Sequence, residues 1–355
     1  MAQRLSIVMI VRNEAALLGS TLLTIKGHVD EIVVVDTGST DATVAIATKH
    51  GAKVIDEVWR DDFSAARNVA LANATGDYCL TLDADEVVTP DSWIHLRAFM
   101  TSNAQALGLV TIVSETRTGR SSELITRVCR RDGKSKFVGR IHEQLIGDGT
   151  PTATGAVILH AGYTESMMKA RDKFARNLRM LEQEHTERPD DPYILYQLGR
   201  TRWHQDKSDE AAMQLTDALV ATPRNAFYLP ALVRDLGYVL KERCAYNDAL
   251  ALVRAYREQY PKYTDLVFLE GLIGMEIGDE AMMRNAFETC LTMGEASGYS
   301  SVLGVGSFLA QFNLGLFHEL AENTAVARRH YEMALRIAPD FQQARERLAA
   351  LPVTR

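Results

Sequence analysis

The first half of the chain alternates short apolar runs with amphipathic stretches. Leu5–Val11 (LSIVMIV), Ile32–Val35 (IVVV), Ala52–Ile55 and Tyr78–Leu82 (YCLTL) are apolar and rich in β-branched residues, and they read as strands. Between them, three stretches read as helices: Glu14–His28, the segment from Ser39-Thr40-Asp41 as cap to His50, and Phe63–Ala74. Gly51 is a suitable stop after the second. Strands that are apolar throughout are buried on both faces. The pattern therefore predicts an α/β fold, a mostly parallel sheet with helices on both sides. After Pro90 the alternation loosens. Strand-like stretches recur at Gly108–Ser114, Leu124–Cys129, Phe137–Ile141 and Val157–His160, as mixed strands added to that sheet.

From Thr164 onward the pattern is helical and repetitive. Measured from Gly199, Gly237 and Gly315, a small residue or its equivalent recurs at offsets 12 and 19, a larger one at 16 and proline at 24. The members are Ala211, Leu215, Ala218 and Pro223; Ala249, Val253, Tyr256 and Pro261; and Ala327, Tyr331, Ala334 and Pro339. A degenerate copy runs Gly271, Met283, Phe287, Cys290 without the proline. The template resembles the tetratricopeptide pattern, in which small residues sit at close helix crossings and larger ones fill the core between repeats. It predicts repeats at about 192–225, 230–263, 264–297 and 308–341, with a capping helix over 340–351. The chain then divides into an α/β domain, 1–165, and an all-α repeat solenoid, 166–355. Ser297–Ser307 is a Gly/Ser-rich insert read as a longer loop. Its Gly304-Val305-Gly306 follows no strand and is not a phosphate loop.

Composition narrows the function classes. With 355 residues, 46% hydrophobic and 24% charged, the chain has the make-up of a two-domain globular protein, which excludes collagen and long disorder. The net charge is −7 and no basic cluster occurs, so nucleic acid or an anionic membrane is not the expected partner. No apolar run approaches the ~18 residues of a transmembrane helix, and the start of the chain lacks the flanks of a signal peptide. Cys79, Cys129, Cys244 and Cys290 are far apart and form no C-x-x-C pair. A zinc site or disulfide framework is thus not expected, and a cytoplasmic, reducing location is.

Four constellations carry candidate chemistry, all in the first half. Asp83-Ala84-Asp85-Glu86 ends the strand YCLTL, and ligands of open α/β sheets lie beyond the carboxyl ends of strands. Two carboxylates separated by one small residue suit a divalent cation shared with a diphosphate, or a solvated acidic turn. Val35-Asp36-Thr37-Gly38-Ser39-Thr40-Asp41 ends another strand. A good βα turn explains Gly38 to Asp41 but not the acid at the strand's edge, which can accept hydrogen bonds from a base or sugar. Arg12-Asn13-Glu14 follows the first strand. Arg67, within Asp61–Asn68, is either a diphosphate contact or a surface partner of Asp61 or Asp62. The fourth set is Gly139-Arg140-Ile141-His142-Glu143 with Val157–Tyr163, where two strand-end histidines occur, one followed by a carboxylate.

Taken in order, VMIVRNE, IVVVDTGSTDAT, DDFSAARNVALANATGDYCLTLDADE, GRIHE and LHAGY resemble a family 2 glycosyltransferase of the GT-A fold over about residues 4–165. The resemblance is closest to bacterial members followed by tetratricopeptide repeats. The catalytic half is also similar to lipopolysaccharide-core glucosyltransferases, and the architecture to peptide S-glycosyltransferases. It implies an inverting transferase that uses a nucleotide-sugar, with UDP as the expected nucleotide, and Mg2+ or Mn2+. By position it implies that Val11, Asn13, Glu14, Asp36 and Arg67 line the nucleotide and that Asp83 touches ribose and metal. Asp85 is implied as main metal ligand and His160 as a third, with Glu143 as base and Glu86 and Asp148 as its rivals. The chain lacks the Glu-Asp pair and the Gln-x-x-Arg-Trp acceptor motif of the commoner pattern. The implied acceptor is a peptide, protein or glycan, and the concave face of the repeats would suit an extended peptide or a protein partner. The alternatives are a catalytically inactive nucleotide-binding repeat scaffold, a nucleotidyltransferase on the same sheet, or a lipopolysaccharide-core-type glucosyltransferase.

Overall fold

The computed structural model describes residues 3–102, 107–116, 119–160 and 167–352. The expected domain boundary at 165/166 and the Ala161–Tyr163 part of the fourth constellation lie outside these residues. The described chain divides into two compact units, the first ending at Pro189 and the second starting at Asp190, with Gly119–Ser121 grouped with the second.

The first unit is built on strands β1 (Leu5–Val11), β2 (Glu31–Asp36), β3 (Lys53–Asp56), β4 (Tyr78–Thr81), β5 (Glu86–Val88), β6 (Gly108–Thr116), β7 (Gly119–Arg130), β8 (Lys136–Val138), β9 (Gln144–Ile146) and β10 (Thr152–His160). Its helices are α1 (Leu18–Ile25), α2 (Thr43–Lys49), α3 (Phe63–Asn73), α4 (Ser92–Ser102) and α5 (Met167–Glu187). The sheet order is β3-β2-β1-β4-β7-β6-β10-β5. The first four strands run parallel, whereas β7 pairs antiparallel with β4 and β5 antiparallel with β10. Side chains alternate along β1. Leu5, Ile7, Met9 and Val11 enter one buried cluster with Leu18 and Leu22 of α1, while Val8 enters another with Ala70 of α3. Two cores, one per face, are what a strand with apolar residues on both sides requires.

Four differences from the sequence reading have local causes. Helix α1 begins at Leu18, not Glu14, because Asn13 is left-handed (φ 57°) and the next residues form a turn in which Leu17 N–H donates to Glu14 O at 3.1 Å. Of Ser39-Thr40-Asp41 only Asp41 reaches the start of α2, its Oδ1 accepting from Thr43 N at 3.0 Å. The segment also binds the loop after β1: Ser39 Oγ accepts from Asn13 N (2.9 Å), and Asp41 Oδ2 from Ala15 N (3.2 Å). Phe137–Ile141 is not one strand of the sheet. Gly139 (φ 96°) and His142 (φ 51°) turn the chain, so that β8 and β9 form a separate ribbon. Finally, α5 groups with the first unit. Met180 and Leu181 are buried, and Glu184 accepts from Arg140 N (2.8 Å).

The second unit contains four helix pairs, α6 (Pro192–Trp203) with α7 (Ser208–Ala221), α8 (Leu229–Glu242) with α9 (Tyr246–Gln259), α10 (Thr264–Ile277) with α11 (Glu280–Met293), and α12 (Phe308–Leu320) with α13 (Thr324–Ile337). A terminal helix, α14 (Gln342–Ala350), follows. The offsets have the steric cause expected of them. A Cβ on Gly199 would lie 2.6 Å from Leu215 Cγ, and one on Gly271 2.8 Å from Phe287 Cε1. Gly237 instead meets Leu269 of the following pair, at 2.6 Å. The insert is bound rather than loose. The Ser300 carbonyl accepts from Arg234 Nη1 (2.9 Å) and Tyr263 OH (2.7 Å). Buried Asp265 accepts from Val302 N (2.8 Å) and Ser301 Oγ (2.5 Å). Among the described residues no helix is long and apolar enough to cross a membrane.

Candidate active site

The parallel register sets the site. Val11 pairs with Asp36, and Leu82 N–H donates to Val8 O at 3.2 Å, so the loops after β1, β2 and β4 leave the same carboxyl edge. Asp36 is buried, and its Oδ2 accepts from Gly38 N (3.1 Å) and Ser39 N (2.9 Å). Gly38 has φ 99°, which favours glycine in this turn. Asp36 Oδ1 is buried without a hydrogen-bond partner, an acceptor awaiting a donor. Asn13 joins the two loops, its Oδ1 accepting from Thr40 N at 2.8 Å, and Glu14 N donates to Thr43 Oγ1 at 2.8 Å. Val11 departs from the expected role of lining a nucleotide. Its side chain lies in the core and its carbonyl already accepts from Thr37 N and Oγ1.

A largely buried chain of alternating charges occupies the end of β4. Arg67 projects from α3, which Asp62 caps by accepting from Ala65 N at 2.9 Å. Arg67 is buried, donates through Nε to Glu143 and through Nη2 to Asp83 Oδ1 (2.9 Å), and lies over the Phe137 ring. It is therefore not the surface partner of Asp61 or Asp62. Arg127, from β7, donates through Nη2 to Asp83 Oδ2 (3.2 Å) and Glu86 Oε1 (3.0 Å). Glu86 is buried, and its Oε2 accepts from Asp83 N at 2.8 Å.

Burial alone would push the Asp83 carboxyl up. Arg67 and Arg127 outweigh it and hold Asp83 well below the usual carboxylate range. For Glu86 burial wins, and its carboxyl is raised despite Arg127. Burial would lower both guanidiniums, but the adjoining carboxylates raise them.

Beside this chain stand Asp85 and His160. Strand β5 pairs with β10 so that His160 faces Glu86 across the ladder. His160 Nε2 is 3.3 Å from Asp85 Oδ2, and its Nδ1 is 4.0 Å from Glu86 Oε1. A carboxylate and an imidazole converging in this way fit a Mn2+-type ion, with remaining positions left to diphosphate oxygens and water. Asp83, expected to share the metal, has one oxygen on each arginine. Among the described residues no three metal-ligating side chains converge. Among the described residues Asp85 and His160 are thus a candidate pair. The rival bases are poorly placed. Both Glu86 oxygens are taken, and Asp148 is exposed and paired with Lys134 at 2.6 Å.

Residues 6–161 match the family described as Glycosyl transferase family 2. The matched segment, somewhat under half of the chain, falls in the first unit apart from Gly119–Ser121. A TPR repeat-containing protein of Synechococcus elongatus is 39% identical over 56% of this chain and 52% of its own length. The SPbeta prophage-derived glycosyltransferase SunS of Bacillus subtilis is 27% identical over 74% of this chain and 65% of its own. The chain thus spans about half to two thirds of these curated relatives. Among solved structures, a thermophilic TPR protein of Thermus thermophilus aligns at 19% identity and a TM-score of 0.39 over 52% of this chain and 92% of its own. Glucosyl-3-phosphoglycerate synthase of Mycobacterium tuberculosis, solved with Mn2+ and UDP, aligns at 27% identity and a TM-score of 0.28 over 32% of this chain and 44% of its own.

Within the first unit, sequence reasoning missed Arg127 altogether and saw Glu86 only as a rival base. The available signal was a lone arginine inside the strand-like run Leu124–Cys129, where a charge must find a buried partner.

The depressed Asp83 carboxyl makes a pH prediction. Asp83→Asn leaves two buried guanidiniums short of a charge and should destabilise the unit by ~3 kcal/mol at pH 7. A carboxyl held low stabilises the fold above its ordinary pKa and loses that contribution as pH falls. The gap in melting temperature between wild type and variant should therefore narrow as pH drops below about 4. A gap unchanged from pH 7 to 3 would contradict the assignment.

Proposed function

We propose that the protein is a metal-dependent, inverting glycosyltransferase that moves a sugar from a nucleotide-sugar, with UDP as the expected nucleotide, to a peptide, protein or glycan acceptor. The observation that carries this reading is the convergence of Asp85 and His160 beside Asp83, on the edge where Asp36 and Arg67 also lie. Asp36 accepts a hydrogen bond from the base through its unpartnered oxygen, and Asp83, steadied by two arginines, accepts from the ribose. Asp85 and His160 hold a divalent ion, Mn2+ or Mg2+, which when bound neutralises charge on the departing diphosphate.

In the reaction the bond between the anomeric carbon and the diphosphate oxygen breaks. The acceptor oxygen or sulfur bonds to that carbon from the opposite face, and the acceptor proton passes to a carboxylate. Glu143 is the proposed base. Its pairing with buried Arg67 orients the carboxylate, and it is mostly but not wholly covered. One carboxylate suffices because the leaving group needs no proton, unlike the acid–base pair of a hydrolase. The repeat unit is proposed to recruit the acceptor or a partner protein. The stretch of its surface occupied by Ser300–Val302 is already filled by the chain itself.

Two variants test this. Asp85→Asn should fold normally but lose Mn2+-dependent stabilisation by UDP in a thermal-shift assay. Unchanged stabilisation would remove Asp85 as a ligand. Glu143→Gln should keep UDP and Mn2+ affinity while turnover of a verified acceptor drops ~10²–10⁴-fold. Turnover within a few-fold of wild type would move the base elsewhere.

A further inference from the structure

The geometry points to Glu86 as a positioning residue that orients His160 for the metal, with Arg127 holding Glu86 in place. This rests on the metal reading above. A metal-bound histidine presents one ring nitrogen to the ion and commonly gives the other N–H to a carboxylate, which fixes the ring. His160 is disposed in that way. Its Nε2 faces Asp85, and its Nδ1 faces Glu86 Oε1 across the β5–β10 ladder. At 4.0 Å the second approach is an electrostatic contact that a small ring rotation or a bridging water turns into a hydrogen bond.

Glu86 is the right kind of anchor. It is 1% exposed and fixed at both oxygens, to Asp83 N at 2.8 Å and Arg127 Nη2 at 3.0 Å, whereas the His160 side chain is 36% exposed and needs an orienting contact. Glu86 thus has a fixed place relative to Asp83, and the motif Asp83-Ala84-Asp85-Glu86 carries its own support for the histidine. Its buried position also explains why it does not serve as the base.

The test is a double-mutant cycle on Mn2+ uptake by the full chain in the presence of UDP, followed by loss of the free-Mn2+ electron paramagnetic resonance signal. Glu86→Met should weaken Mn2+ binding ~10–100-fold. In a His160→Ala background the same substitution should change it by no more than about two-fold, because its route to the metal is gone. Glu86→Gln keeps the shape and an acceptor oxygen, so it should retain more affinity than Glu86→Met, and it repeats the cycle should the methionine variant fail to fold. The proposal is overturned if folded Glu86 variants bind Mn2+ like wild type, or if their loss persists undiminished without His160. If wild type takes up no Mn2+ with UDP present, the metal reading itself falls and this inference with it. Failure of the Glu86 variants alone leaves that reading standing.

Discussion

The site depends on one buried alternation of charge, Glu143–Arg67–Asp83–Arg127–Glu86. Removing such charges from water is expensive, and the chain is stable only because each group faces opposite charge at hydrogen-bond distance. Two guanidiniums serve three carboxylates, and Asp85 adds a fourth beside them, an arrangement that suits the divalent ion proposed above. The same pairing keeps Asp83 ionised, raises the guanidiniums, and leaves Glu86 as the member for which burial prevails.

The sheet delivers these groups from distant parts of the chain. Strands β1, β2 and β4 run parallel, which puts Asp36 and Asp83-Ala84-Asp85 on one edge. The strands added to this set bring in what it lacks, Arg127 from antiparallel β7 and His160 from β10, which runs parallel to β6 and antiparallel to β5. Helix α3 contributes Arg67 from the side, and Glu143 comes from the turn between β8 and β9. Orientation resides in the pairing register, so small motifs suffice on each element.

Much of this was legible in the sequence where a local rule governs. The apolar runs Leu5–Val11 and Tyr78–Leu82 identify central strands and place Asp83 and Asp85 at an edge. The spacing from Gly199 to Leu215 is a steric contact between paired helices and can be read without coordinates. The rest depends on long-range partners. Nothing local says that Arg67 meets a residue 76 positions away, or that Arg127 bridges Asp83 and Glu86. Strand β5 has three residues, too few to show a period, yet its pairing is what sets His160 beside Glu86. The allegiance of α5 turns on Glu184 meeting the Arg140 main chain, which no amphipathic pattern reveals.

The central claim is that this edge binds a nucleoside diphosphate and a divalent ion as one unit. Its most direct test is a pair of calorimetric titrations on the full chain, UDP with and without saturating Mn2+, and Mn2+ with and without saturating UDP. Linkage requires each ligand to raise the other's affinity by the same factor, expected to exceed about ten-fold, since diphosphate oxygens would complete the coordination proposed for Asp85 and His160. UDP binding with equal affinity in excess chelator, or no binding of either ligand, would contradict the account.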